Sequence, residues 1–114
     1  MSLRVVRPWG SYLVLNSGEG YQVKEIVIEA GMRLSYQSHK LRSEHWFIIE
    51  GSAQVTIDGV MRTLSPGQSV DIKVGQAHRI GAGGTGRVVF IEVQSGEYFG
   101  EDDIIRLEDD YGRV

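Results

Sequence analysis

The chain has 114 residues, 41% of them hydrophobic, with 12 Lys and Arg against 15 Asp and Glu and a formal net charge of -3. That length suits one domain with a modest core, so residues 1–114 are taken as a single unit. The charge gives no electrostatic footprint for nucleic acid, no apolar run approaches the roughly 20 residues that cross a bilayer, and the absence of cysteine excludes disulfides and thiolate metal sites. The start also lacks the basic segment and apolar stretch of a signal peptide, which leads to the expectation of a cytoplasmic location. Charge is uneven: from residue 100 onward six acids face only Arg106 and Arg113, which reads as a solvated acidic tail.

In chain order, the apolar runs are short, β-branched and separated by turn signals. Strands are expected over residues 23–28, 44–49, 54–57, 70–73 and 88–93. Asp58-Gly59 predicts a two-residue hairpin, and Pro66-Gly67 a turn. The glycine-rich run 81–86 reads as a hairpin tip. It is not a phosphate-binding loop, because no Lys-Ser/Thr pair follows it and no helical pattern begins there. Residues 102–108 predict a turn or two of helix near the C-terminus. Many short strands at this spacing argue for an all-β antiparallel sandwich or barrel. A parallel sheet is excluded, because the helices that would cross it are missing.

Four polar residues stand out against this background. Gln37, His39 and Glu44 lie close together, and His78 follows in Gly75-Gln76-Ala77-His78. Alternate residues of a strand face the same side, so Gln37 and His39 point at one spot. Imidazole, carboxylate and amide oxygen together suit a borderline divalent metal: zinc first, with manganese, cobalt or iron as alternatives.

The spacing of these residues resembles the two motifs of the cupins. The first reads Gly31, five residues, Gln37-Ser38-His39, four residues, Glu44, six residues, Gly51, with Gln37 in place of the usual first His. The second reads Gly67, five residues, Lys73-Val74-Gly75, two residues, His78, three residues, Ala82, with Lys73 and Ala82 in place of the usual Pro and Asn. A narrower resemblance extends over nearly the whole chain. Arg7-Pro8-Trp9-Gly10-Ser11-Tyr12, Gln22-Val23-Lys24, Glu44-His45-Trp46, Ile91-Glu92-Val93-Gln94-Ser95-Gly96 and Asp109-Asp110-Tyr111-Gly112-Arg113 look like the isomerase domain of type II mannose-6-phosphate isomerases. The resemblance implies a cupin jelly-roll barrel, with the short helical segment expected at its C-terminal end. It also implies a metal held by Gln37, His39, Glu44 and His78, and interconversion of mannose 6-phosphate and fructose 6-phosphate through an enediol. In that family the domain usually follows a guanylyltransferase domain, for which this chain has no room, so a freestanding isomerase half is expected.

Such a reaction needs a Lewis acid for the oxygens on C1 and C2, a group that carries a proton between the carbons, and cations for the phosphate. Arg42, in a loop between His39 and Glu44, is the leading phosphate partner. Lys24 and Arg113 are further candidates, with Tyr111 and Arg113 folding over the mouth. Arg79 should point away from His78, and His45 away from Glu44, if the strands stay regular. Glu92, in an apolar strand, is a candidate for proton transfer through a burial-raised pKa or a structural partner of an Arg; a tail acid is the other choice for proton transfer. Trp9, Tyr12, Trp46 and Tyr98 are candidates to stack on a sugar, with Trp46 read as core. Two further readings are a cupin oxygenase built on His39, Glu44 and His78, and a non-catalytic module that binds a sugar or nucleotide sugar. A homodimer through residues 5–15 is expected, because sheet edges need cover.

Overall fold

Alternation along the strands decides which side chains enter the interior. The structure, a computed structural model, describes residues 3–113 apart from the side chain of Glu101. Its strands are β1 (Val5–Arg7), β2 (Gly10–Gly18), β3 (Tyr21–Ile28), β4 (Tyr36–Ser38), β5 (Arg42–Glu50), β6 (Ala53–Ile57), β7 (Val60–Leu64), β8 (Ser69–Ile72), β9 (His78–Ala82), β10 (Val88–Gly96) and β11 (Ile105–Glu108). They form a six-stranded sheet in the order β1-β2-β3-β10-β5-β8 and a five-stranded sheet in the order β11-β4-β9-β6-β7. Every pairing is antiparallel. This is the expected cupin jelly-roll architecture.

The interior changes character along its length. Across β3, β10 and β5, Ile26, Phe90 and Ile48 stand in register at the apolar end. The next inward row is Lys24, Glu92 and Trp46, and the one after it is Gln22, Gln94 and Glu44. Burial of the apolar end closes the core, at about 1.5–3 kcal/mol for each large side chain. Of these two rows, Lys24, Glu92, Gln94 and Glu44 line a cavity, as does the edge of the core residue Trp46. Along β5 the alternation is regular: Arg42, Glu44, Trp46 and Ile48 are buried, whereas Phe47 and Ile49 are exposed.

The turns follow local chemistry. Asp58 (φ 47°) and Gly59 (φ 81°) are both left-handed, as the two-residue hairpin between β6 and β7 requires. At Ser65-Pro66-Gly67-Gln68 the Gln68 N–H donates to the Ser65 carbonyl at 3.0 Å and Gly67 has φ 89°, a type II turn.

Several expectations are corrected. Residues 81–86 are no hairpin tip: Gly81 and Ala82 end β9, and the rest of the run leads to β10 in the opposite sheet. The C-terminal helical segment shrinks to a single 3-10 turn, Glu101–Asp103. The rest becomes β11, because so short a helix is costly to nucleate whereas the edge of β4 offers a ladder. Strands β1, β4 and β9 lie outside the apolar runs, since they are short or polar. Arg42 is the first residue of a strand, not part of a loop.

The acidic tail is not simply solvated. Glu108 pairs with Arg79 at 3.1 Å and Asp110 with Arg33 at 2.6 Å, while Asp102 accepts a hydrogen bond from Tyr98. Tyr111 packs against the core, and its hydroxyl donates to the Arg33 carbonyl at 2.9 Å. Asp109 accepts from the backbone N–H of Arg113 at 2.7 Å and from its guanidinium at 2.9 and 2.8 Å. These donors hold the Asp109 carboxyl down at about 2, below its ordinary 3.8. A carboxylate with a lowered folded pKa stabilises the fold fully above its unfolded value and loses that contribution as pH falls through the folded value. Asp109→Asn is therefore expected to unfold at lower urea concentration than the parent at neutral pH. The gap should narrow as pH falls from about 4 towards about 2.

Candidate metal centre

Motif spacing translates into convergence because β4 and β9 are neighbours. Gln37 and His78 are direct cross-strand partners, so they share a face, and His39 follows two residues after Gln37. Glu44 reaches the same place from β5 in the opposite sheet. The ligand-capable atoms of His39, Glu44 and His78 all lie within 4.8 Å of one another, and all three residues are buried. Nε2 of His39 is 3.4 Å from Glu44 Oε2, and Nε2 of His78 is 3.8 Å from Glu44 Oε1. Gln37 lines the same cavity.

The outer contacts set the chemistry of these atoms. Nδ1 of His78 lies 2.9 Å from the Gln76 carbonyl, and Nδ1 of His39 lies 3.3 Å from the Asp103 carbonyl. A carbonyl only accepts, so each Nδ1 carries a proton, and Nε2 is the ring atom turned towards Glu44 and left to bind a cation. Burial above all, with help from Arg42 and His78 and against the pull of Glu44, lowers the His39 pKa to about 4. His39 is thus a neutral imidazole at neutral pH, the form that ligates metals. Burial alone would raise Glu44; positive charge on His78, then on His39 in its protonated form, and on Arg42 outweighs it together with the Gln94 amide, and the carboxyl is held below the ordinary range. Its oxygens accept from Arg42 Nε at 3.3 Å, Gln94 Nε2 at 3.2 Å and Trp46 Nε1 at 3.1 Å. Two imidazoles converging on one carboxylate are a donor set for a cation, and the His39, Glu44 and His78 group can hold a metal ion.

The surrounding cavity encloses about 630 Å³, counting the space open to solvent at its mouth. Arg7, Lys24, Arg42, Arg79, Arg106 and Arg113 all line it, against the two carboxyl groups of Glu44 and Glu92. Arg42 sends Nε to Glu44 and Nη1 to the Gly100 carbonyl at 3.2 Å. Lys24 lies 4.6 Å above the Tyr12 ring, with Arg7 5.5 Å from the same ring. Glu92 is buried and accepts from Trp46 Nε1 at 3.2 Å; burial first, and the Glu44 charge second, push its carboxyl up to about 8. Arg113 reaches the cavity from the tail, held by Asp109. Arg79 is engaged elsewhere, by the Leu34 carbonyl and Glu108. His45 faces away and meets Asp71 at 2.6 Å. Trp9, Tyr12 and Trp46 line the cavity, and both tryptophans belong to the core, whereas Tyr98 lies on the surface outside the lining.

The comparisons with known proteins agree with this geometry. A family model described as the C-terminal domain of mannose-6-phosphate isomerase matches residues 1–109. The chain belongs to that family. It is 50% identical over 110 residues to the alginate biosynthesis protein AlgA of Pseudomonas aeruginosa, covering 96% of this chain and 23% of that protein. It is 45% identical over 114 residues to the mannose-1-phosphate guanylyltransferase ManC of Salmonella typhimurium, covering 100% of this chain and 24% of that protein. The chain thus spans about a quarter of the length of these curated relatives. Among solved structures, the capsular polysaccharide assembling protein CapF of Staphylococcus aureus superposes with a TM-score of 0.82 at 22% identity, over 95% of this chain and 34% of CapF. Oxalate decarboxylase of Bacillus subtilis superposes with a TM-score of 0.82 at 22% identity, over 93% of this chain and 30% of that one. These two likenesses concern the fold alone.

Sequence reasoning missed Gln94 and Asp103. Both brace the metal-capable group: the Gln94 amide donates to Glu44 at 3.2 Å, and Asp103 holds the segment that carries His39. The Asp103 carboxylate accepts from the backbone N–H groups of Lys40 and Leu41 at 3.1 and 3.0 Å, while its own carbonyl meets His39. The backbone N–H of Gly75 donates to the His39 carbonyl at 2.8 Å. Asp103 was visible only as one more tail acid, 64 residues from His39, and no local pattern reports so distant a contact. Asp103→Ala removes both carboxylate contacts and frees the segment that carries His39. Metal affinity, measured by calorimetric titration of the metal-free protein, should fall about 10- to 100-fold with the fold retained.

Proposed function

We propose that this chain is a cytoplasmic, metal-dependent isomerase that interconverts mannose 6-phosphate and fructose 6-phosphate. The observation that carries this reading is a metal-capable group set inside a cavity lined by six cationic side chains and two carboxyls. A metal with an anionic, oxygen-rich ligand satisfies both features. In this reading Gln37, His39, Glu44 and His78 hold a divalent ion, zinc first, which when bound supplies a Lewis acid for the oxygens on C1 and C2.

The chain's own residues do the remaining work. Of the two carboxyl groups lining the cavity, Glu44 belongs to the metal group and Glu92 is left for proton transfer. The net change moves one proton from C2 to C1 and one from O2 to O1 by way of the enediol, and no other reactant is consumed. Arg42, expected from the sequence as the leading phosphate partner, is buried with Nε on Glu44 and Nη1 on the Gly100 carbonyl, so in this reading it orients Glu44 at the reacting end instead. Lys24 and Arg113, with Arg7, offer positive charge to the phosphate, which a body of nearly balanced charge would not otherwise attract.

Turnover of mannose 6-phosphate should require added divalent metal. His39→Ala is expected to lose bound metal and activity together, and activity retained in that variant without metal would exclude the reading. At saturating metal, Arg42→Ala should lower turnover about 30- to 1,000-fold, with Arg42→Lys less affected. Glu92→Gln should slow exchange of the C2 hydrogen in D2O by about 10²- to 10⁴-fold.

We also propose that two copies pair through residues 5–15. Strand β1 is an edge of the larger sheet, with Val6 exposed there and Leu15 exposed on its neighbour β2. Light scattering at micromolar concentration is expected to give a mass near twice 12.7 kDa; a mass near 12.7 kDa would overturn the pairing.

A further inference from the structure

Three buried side-chain atoms among the described residues have no hydrogen-bond partner: Ser35 Oγ, Gln94 Oε1 and Arg106 Nε. All three residues line the cavity that holds the metal group. Gln94 projects from the six-stranded sheet, Arg106 from the five-stranded sheet, and Ser35 from the residue preceding β4. Ser35 and Gln94 are each only 1% exposed. Groups this buried are ordinarily satisfied, so three orphans in one cavity call for a common ligand.

Their chemistry selects that ligand. The Gln94 amide nitrogen donates to Glu44 Oε2 at 3.2 Å, and a carboxylate oxygen only accepts. The amide is therefore fixed in orientation, and Oε1 is an acceptor that needs a donor. Ser35 Oγ both donates and accepts, and Arg106 Nε only donates. A phosphate oxygen would suit Arg106 but would be repelled by Gln94 Oε1. A hydroxyl group suits all three, because it donates and accepts at once.

We propose that Ser35, Gln94 and Arg106 form a subsite that reads the hydroxyl groups of a carbohydrate chain, and that it orients the ligand with its neutral end beside Glu44 and its phosphate towards Lys24 and Arg7. This deepens the sugar-phosphate reading above and rests on it. It makes Ser35 and Gln94 specificity-determining residues outside the metal group.

The test uses two probes that cannot isomerise. Mannitol 6-phosphate carries the hydroxyl chain without a carbonyl, and methyl phosphate carries the phosphate alone. Binding to the full chain, with and without added zinc, is read from intrinsic fluorescence, since Trp9 and Trp46 both line the cavity. The parent should prefer mannitol 6-phosphate. Ser35→Ala should weaken mannitol 6-phosphate about 3- to 10-fold, leave methyl phosphate unchanged, and keep or raise the thermal midpoint, because it deletes an unsatisfied buried group. Gln94→Leu also loses the contact to Glu44, so its readout is the ratio of the two affinities, which should fall. If Ser35→Ala and Gln94→Leu weaken both probes equally, or neither, the subsite is wrong. Selective polyol binding without turnover of mannose 6-phosphate would remove the isomerase reading and leave the subsite standing. Turnover with an unchanged affinity ratio in Ser35→Ala would do the reverse.

Discussion

The polar interior of this barrel is organised around one buried carboxylate, that of Glu44. Taking an ionised carboxylate out of water is costly unless it is fully paired. Here Arg42, Trp46 and Gln94 donate to it, and the Nε2 atoms of His39 and His78 face it. Each donor is thereby fixed in turn. The Trp46 indole, which is also core, links Glu44 to Glu92, and the Gln94 amide is locked in orientation. Two histidines turned towards one carboxylate make an arrangement that a cation completes, so the same group that is expensive to bury organises the site.

The contrast between the two ends of β10 shows how one strand serves both stability and chemistry. Val88 and Phe90 are fully buried among Ile28, Ile26 and Ile48. Glu92 and Gln94, further along the same face, are also buried but line the cavity. No break in the sheet separates these environments; the change is written in side-chain type alone. The apolar end supplies the rigidity that keeps the polar end in place, as a preorganised site requires.

How much of this was legible in sequence depends on the range of the interaction. The pairing of Gln37 with His39, and the separation of His45 from Glu44, follow from alternation within a few residues, and the structure shows both. The hairpin at Asp58-Gly59 is equally local. Residues 81–86 looked like a hairpin because glycine reports that the chain turns, not which sheet it enters next. The tail helix failed because its apparent pattern was the exposed alternation of Ile105 and Leu107 on an edge strand. Gln94 and Asp103 were invisible as site residues, since their partners Glu44 and His39 lie 50 and 64 residues away. Ser35 gave no signal either, because its distinction is a missing partner, which only three-dimensional packing reveals.

Strand β4 lies between β9 and β11, and both of these come later in the chain. During synthesis, the segment that carries Gln37 is therefore made long before either neighbour exists. At about 5–20 residues per second, the ribosome needs several seconds more before β11 emerges to close the outer edge of β4. The larger sheet meets a similar delay, since β3 and β5 are joined only through β10. The pocket thus cannot be complete before β10 and β11 have been made, since Glu92, Gln94 and Arg106 of its lining lie on them.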